Sequence, residues 1–314
     1  MGKRKQSIVT KFFEIIILIF TSILIFVIWI VLSTPDALKI KSCLTTKMYK
    51  VKLCNKSSDY VPLSSFSPDL KNLLIIAEDA SFYSHHGFDW AELQNSFEKN
   101  YEDLKIARGG STITQQLAKN VFLRFDRTFI RKIKEALLTA QLEHLLSKGE
   151  ILEKYMNVIE LGPNLYGFGN AAKHYFNKPA SELNVLESAF LVYLIPNPKV
   201  YSNVFNKKAL TKFSRYRLLD LVYRLFRFHK ISADQYLFAK EYVDQFPWAN
   251  LSASEIAQLN GVGTASQHPD ASNQITLPSE PTPVSPDVTE QLVPDSDLNP
   301  EADDATVDTE TFDK

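Results

Sequence analysis

Between Ile15 and Leu32 the sequence carries no charged residue. These 18 residues are apolar except for Thr21 and Ser22, and a helix needs about 20 mostly apolar residues to cross a bilayer. A cleaved secretion signal would have a shorter apolar core and small residues at its cleavage site. The segment "VLSTPD", Val31 to Asp36, offers no convincing site of that kind, so a retained membrane anchor is expected. Lys3, Arg4, Lys5 and Lys11 precede it, which places the N-terminus in the cytoplasm and the body outside.

The expected organisation follows from this anchor. Residues 1–11 form a basic cytoplasmic segment and residues 12–32 the transmembrane helix. Residues 33–60 read as an extended, partly stranded connector, residues 61–246 as one folded domain, and residues 250–314 as a disordered acidic tail. From Asn250 onward there are 13 acidic residues and one basic, which leaves 34 basic against 23 acidic before it, a balance of +11. The Ser, Thr, Pro, Asp and Glu that dominate the tail do not support a packed core. A basic body suits an anionic partner such as phosphate, nucleic acid or an acidic lipid surface. Cys43 and Cys54 sit outside the membrane in this reading, where a local disulfide can form. The sequence leaves their pairing open, and two thiols alone do not make a metal site.

Helical periodicity starts near Asp69 and persists to about Phe246. "LKNLLIIAED" carries an apolar face after Pro68 and Asp69. "STITQQLAKNVFL" follows a Gly-Gly turn, and "TFIRKIKEALLTAQLEHLL" is a long helix with Ile130, Ile133, Leu137 and Leu145 among its apolar positions. Ser147 and Glu150 have capping-box spacing. "LNVLESAFLVYLI" is too short for a second span and contains Glu187, so it reads as a buried helix.

In "IIAEDASFYSHHGFDW", Ile75 to Trp90, Glu78 and Asp79 stand beside aromatics, His85 and His86. As an isolated pattern this is a polar helix end. "RGGSTITQQ" offers a turn at Gly110, then Ser111, Gln115 and Gln116; backbone N–H groups at such a helix start suit phosphate or sugar oxygens. Taken alone it is an N-capped helix, with Ser111 and Gln115 just beyond capping-box spacing. Arg131 and Glu135, four apart, read in isolation as an ordinary helix ion pair.

Taken in order, "EDASFYSHHG", "RGGSTITQQLAKN", "RKIKE" and "KGEILEKYMNVIELG" resemble the successive motifs of the family 51 glycosyltransferases, the peptidoglycan glycosyltransferases. The resemblance is strongest from Leu73 to Lys178. It implies a mainly α-helical, lysozyme-like fold and polymerisation of lipid II at the outer face of the plasma membrane. It implies Glu78 and Glu135 as catalytic residues, with Ser111, Gln115, Gln116, Lys119 and Arg127 binding substrate. Lys119 and Arg127 match family cations that contact the donor's pyrophosphate. Asp79, Phe82, His85, Gly110 and Arg131 support the site; Asp79 accepts backbone hydrogen bonds and Phe82 packs. Tyr155 and Asn157 fix a helix end, and His86 falls on a variable position.

The chemistry agrees with that resemblance. A glycosidic bond made from a sugar pyrophosphate needs a base for the acceptor hydroxyl and cations for the departing pyrophosphate. The implied partners are lipid II, the lipid-linked glycan strand, the membrane and other cell-wall synthesis proteins, with no nucleic acid. No cofactor is required; a divalent cation on the substrate pyrophosphate is left open, and no metal-ligand cluster is visible. The family's final Arg-Arg motif is loosened here to "SRYRLLDLV", with Arg215 and Arg217, which lie outside the expected catalytic core. The sequence does not combine Ser-x-x-Lys with Ser-x-Asn and Lys-Thr-Gly, so it reads as monofunctional. The rival readings are a lytic transglycosylase that cuts glycan and a non-catalytic cell-wall scaffold.

Overall fold

A computed structural model describes residues 2–94, 110–126 and 128–261. The first helix, α1 (Gly2–Ser33), is the only one among the described residues long and apolar enough to cross a membrane. Large apolar side chains from Phe12 to Leu32 are exposed around it, as a helix facing lipid requires. Further helices are α2 (Pro68–Glu78), α3 (Ile113–Phe122), α4 (Phe129–Leu145) and α5 (Lys148–Val158). After them come α6 (Phe168–Phe176), α7 (Val185–Leu194), α8 (Pro198–Tyr201) and α9 (Asn203–Lys207). The described chain closes with α10 (Lys212–Arg227), α11 (Ala233–Tyr242) and α12 (Ala253–Leu259). Two small antiparallel pairs complete it: β1 (Leu44–Thr45) with β2 (Lys52–Leu53), and β3 (Glu160–Gly162) with β4 (Leu165–Tyr166). The fold is mainly α, as expected.

All ten residues of α7 are buried. Each Leu, Val or Phe taken fully from water contributes roughly 1.5–3 kcal/mol, so α7 is the axis of the core, with α2 and α10 packed on it. Its N-terminus is closed by the Asn184–Glu187 capping box, and the buried Glu187 carboxylate pairs with Lys178 at 2.6 Å. α3 packs between α4 and α5. The Ser147–Glu150 capping box starts α5, as its spacing predicts.

Two expected boundaries move. Residues 33–60 are not an extended connector: Ala37–Lys41 is a 3-10 helix, and Ala37, Ile40 and Leu53 belong to the core. Cys43 and Cys54 are disulfide-bonded across the β1–β2 hairpin, their Cα atoms 4.4 Å apart. At the other end, the segment after Asn250 does not begin as a disordered tail. α12 has its own capping box, its Leu259 is fully buried, and Leu251 before it packs on the core; these apolar anchors outweigh the polar composition there. The tail beyond residue 261 lies outside the described residues.

α4 also differs in phase from its apolar positions. Its buried side chains are Glu135, Leu138, Thr139 and Leu142, while Ile130, Ile133, Leu137 and Leu145 are half-buried. Two polar residues can face inward because Glu135 has ion-pair partners and the Thr139 hydroxyl donates to the Glu135 carbonyl at 2.8 Å.

Candidate active site

Glu78 is the last residue of α2, and Asp79 caps it. The helix stops because Asp79 is held elsewhere. Its Oδ2 accepts the N–H of Ile113, the first residue of α3, at 3.0 Å, and its Oδ1 lies 2.8 Å from His85 Nε2. The Ile113 N–H is one of the donors that a helix start cannot satisfy internally, and a carboxylate there also meets the positive end of the helix dipole. The Gly87 N–H donates to His85 Nδ1 at 3.1 Å, so Nε2 is the nitrogen that donates to Asp79. Phe82 is fully buried, with Lys148 Nζ 4.6 Å above its ring. These three residues hold the loop.

The tie between Asp79 and Ile113 brings α2 and α3 together at the chemistry. Gln116 Nε2 donates to Glu78 Oε2 at 2.9 Å. The Tyr155 hydroxyl, from α5, donates to Gln116 Oε1 at 2.9 Å, which fixes the amide with its NH2 toward the carboxylate. Burial pushes the Glu78 carboxyl above its ordinary pKa; the Gln116 hydrogen bond and the charges of Lys119 and Arg217 pull it back, and Asp79 adds to the rise. Burial likewise holds the Tyr155 phenol well above its ordinary pKa, with the Glu78 charge adding to it, so it remains a donor.

Gln115 corrects the expectation that it lines the site. The N-cap is Thr112, one residue after Ser111, and Gln115 completes its capping box: Gln115 N–H donates to Thr112 Oγ1 and Thr112 N–H to Gln115 Oε1 at 2.9 Å. Gln115 is buried with its amide oxygen occupied there. Thr112 Oγ1 also donates to the Gly87 carbonyl at 2.8 Å, locking the loop to the same helix start.

Lys119, one turn after Gln116, shares its helix face. Its ammonium is lowered from the ordinary lysine pKa by burial; Glu135 raises it, Arg131 and Lys132 lower it, and Glu78 raises it. Lys119 therefore lies within the field of both glutamates. Glu135 is buried and bonds Arg131 Nη1 at 2.8 Å and Lys132 Nζ. Lys132 Nζ also donates to Ser111 Oγ at 3.3 Å, drawing that side to the start of α3. Lys132 was missed in the sequence, although it sits inside Arg-Lys-x-x-Glu three residues before the glutamate. Arg127 lies outside the described residues.

A cleft of about 840 Å³ opens over Glu78, with Gly110, Ser111 and Gln116 on one wall and Arg217 and Arg224 of α10 on the other. Both arginines reach the buried Asp220, at 3.3 and 3.1 Å. Arg217 therefore belongs to the cleft, not outside the core. Arg215 instead pairs with Asp244 at 2.7 Å. The sequence signal was helical spacing: Arg217, Asp220 and Arg224 share one face of α10, and Arg215 does not.

Residues 45–222 match the transglycosylase family. The chain is 46% identical over 156 residues to a biosynthetic peptidoglycan transglycosylase of Methylobacillus flagellatus, covering 50% of this chain and 68% of that one. It is 44% identical over 153 residues to one from Laribacter hongkongensis, covering 49% and 67%. It is 43% identical over 152 residues to one from Acinetobacter baumannii, covering 48% and 68%. Glu78, Asp79, Gly110, Ser111 and Gln116 line one cleft, while Gln115, Lys119, Arg131 and Glu135 are not part of its lining. With the family match running through most of the folded body, the chain belongs to the transglycosylase family, the family 51 glycosyltransferases.

Proposed function

We propose that the chain polymerises lipid II into glycan strands, with Glu78 as the general base. Its peptidoglycan glycosyltransferase activity rests on the family and on relatives named for that role; the assignment of steps to residues rests on the cleft. The observation that carries it is Glu78, half-buried and lining the cleft, with the Lys119 charge on the neighbouring α3 favouring its ionised form. A carboxylate with a raised pKa is a better base than an ordinary one, and a cation beside the leaving group stabilises the charge that develops on it.

In the reaction, the 4-hydroxyl oxygen of the acceptor lipid II attacks the anomeric carbon of the lipid-linked growing chain. Its proton passes to Glu78. The bond from the anomeric carbon to the pyrophosphate oxygen breaks with inversion, and the electron pair leaves on polyprenyl pyrophosphate. Lys119 supplies positive charge to stabilise it, and Arg127, outside the described residues, is assigned the same role from its motif position. Glu135 orients the cations Arg131 and Lys132, with Ser111 and Gln116 lining the acceptor side. The reading requires no resident cofactor; a divalent cation would enter as part of the substrate pyrophosphate.

The site of action is the outer face of the plasma membrane, with α1 as a single-pass anchor. The orientation draws on the lipid-linked substrate and the Cys43–Cys54 bridge, which suits an oxidising compartment. It does not draw on the charge count, because Lys39, Lys41, Lys47, Lys50 and Lys52 follow the span closely.

The test is the purified full chain supplied with lipid II. Growing strands are expected from the wild type, with a loss of two or more orders of magnitude in E78Q. Shortening of finished glycan would support the lytic reading, and full activity in E78Q would remove Glu78 as the base.

A further inference from the structure

The junction between the anchor and the folded body gathers cations that the reaction does not use. Lys134 Nζ donates to the carbonyl of Ser33, the last residue of α1, at 3.2 Å. The same ammonium lies 5.4 Å from the centre of the Trp29 ring. The Ala37–Lys41 turn packs on α4, which brings Lys39 to this side. The β1–β2 hairpin sits against the end of α3: the N–H of Lys47 donates to the Val121 carbonyl at 2.8 Å, and that of Met48 to Asn120 at 3.3 Å. Its loop thus sets Lys47 and Lys50 beside Arg124, which follows α3 by two residues.

Among the described residues, none of Lys39, Lys47, Lys50, Arg124 and Lys134 forms an ion pair. Glu135, which follows Lys134 in the chain, is paired instead with Arg131 and Lys132, and Asp36 accepts the Leu38 N–H at 2.9 Å. The Lys47 ammonium is held below the ordinary lysine pKa, first by partial desolvation and then by repulsion from Arg124, Lys39, Lys134 and Lys50. Exposed apolar side chains accompany the charges: Leu38, Phe125 and Phe129. Cations and apolar groups together at the end of a span are the composition of a surface lying in the headgroup region. Trp29 in the last turns of α1 suits that depth.

We propose that Lys39, Lys47, Lys50, Arg124 and Lys134 form a collar that binds anionic phospholipid headgroups in the leaflet where α1 ends. Clustered like charges repel in the protein alone and are relieved by phosphate groups at the bilayer surface. Lysines on the outer side of a span also run against the positive-inside tendency, so a lipid ligand gives them a use. The proposal rests on α1 spanning a membrane and not on the catalytic assignment.

The experiment reconstitutes the full chain in zwitterionic phosphatidylcholine nanodiscs containing traces of spin-labelled phosphatidylglycerol or phosphatidylcholine. The motionally restricted fraction reports selectivity with no turnover, so its failure would leave the polymerase reading intact. The wild type is expected to prefer phosphatidylglycerol severalfold, and K39Q/K47Q/K50Q to lose that preference. K3Q/R4Q/K5Q, on the opposite side of the span, should retain most of it. Raising salt should weaken the wild-type preference, a reading that requires no variant to fold. The proposal is overturned if the wild type shows no preference, if salt leaves the preference unchanged or if the collar variant keeps it. It is also overturned if K3Q/R4Q/K5Q abolishes the preference, or if added lipid II displaces the labelled phosphatidylglycerol, which would make the collar a substrate site.

Discussion

Gln116 stands between Tyr155 and Glu78, accepting from one at 2.9 Å and donating to the other at 2.9 Å. An amide has two ends, and the Tyr155 hydroxyl decides which one faces the base. A buried residue on α5 thereby orients the amide that bonds a carboxylate on α2.

The first prediction follows from that order. Q116L removes the hydrogen bond that favours ionised Glu78, so the acid limb of kcat/KM should move to higher pH. At the acidic end the loss should be about tenfold, because a hydrogen bond to a charged group is worth about 1.5–3 kcal/mol. Y155F should shift the limb in the same direction by less, since it frees the amide to turn without deleting it. An unmoved acid limb in both variants would show that Gln116 does not act through Glu78.

Lys119 sets the opposite limb. Glu78, with its raised pKa, becomes competent as a base only above the ordinary carboxylate range. Lys119, with its lowered pKa, loses its charge before an ordinary lysine would. The pH profile should therefore be a bell narrower than unperturbed groups would give. K119A should lower kcat by about 10²–10³ and remove the alkaline limb. It should also raise the acid limb, because the Lys119 charge favours ionised Glu78. Initial rates across pH check all three features.

Gly87 couples the loop to α3 and α4. Its φ is +89°, and an added Cβ would lie 2.8 Å from the Thr139 methyl. G87A should cost about 1–3 kcal/mol, visible as a lower Tm. It should also lower kcat, because Gly87 contacts both His85 and Thr112. Adding T139S removes the methyl but not the backbone strain, so the double variant should recover only part of the loss.

Asp69, in the first turn of α2, gives a stability test. Burial raises its pKa to about 6, and the Gln235 hydrogen bond lowers it less. A carboxyl with its pKa raised in the folded state binds a proton more tightly folded than unfolded. The resulting penalty is absent below the ordinary Asp pKa, grows as pH rises from there and is complete above about 6. D69N should thus stabilise the protein by about 1–2 kcal/mol at neutral pH, a value reduced for its partial exposure. It should change little in acid. Denaturant unfolding at two pH values distinguishes these outcomes.

Much of this site was legible because its residues lie in short motifs of fixed spacing. Glu78, Asp79, His85 and Ser111 fall at or beside the cleft, while Arg127 lies outside the described residues. What the sequence obscured has physical causes. Gln115 looked like a site residue because the family motif groups it with Ser111 and Gln116, whereas with the cap on Thr112 its amide closes the helix start. Tyr155 looked like a helix-end support because its partner, Gln116, is 39 residues away on another helix. α4 was misphased because Glu135 and Thr139, both polar, take core positions that hydropathy alone reserves for apolar residues. The segment after Asn250 looked unstructured because composition averages over a long tail and hides Leu251 and Leu259, which dock it.

The Asp79 carboxylate bonds both the loop of His85 and the first N–H of α3. Parting α2 from α3 would break that bond together with the contact of Gln116 with Glu78. The Glu78 carboxylate is thus fixed to the start of α3, and whatever enters the cleft meets a group that cannot shift without unfastening two helices.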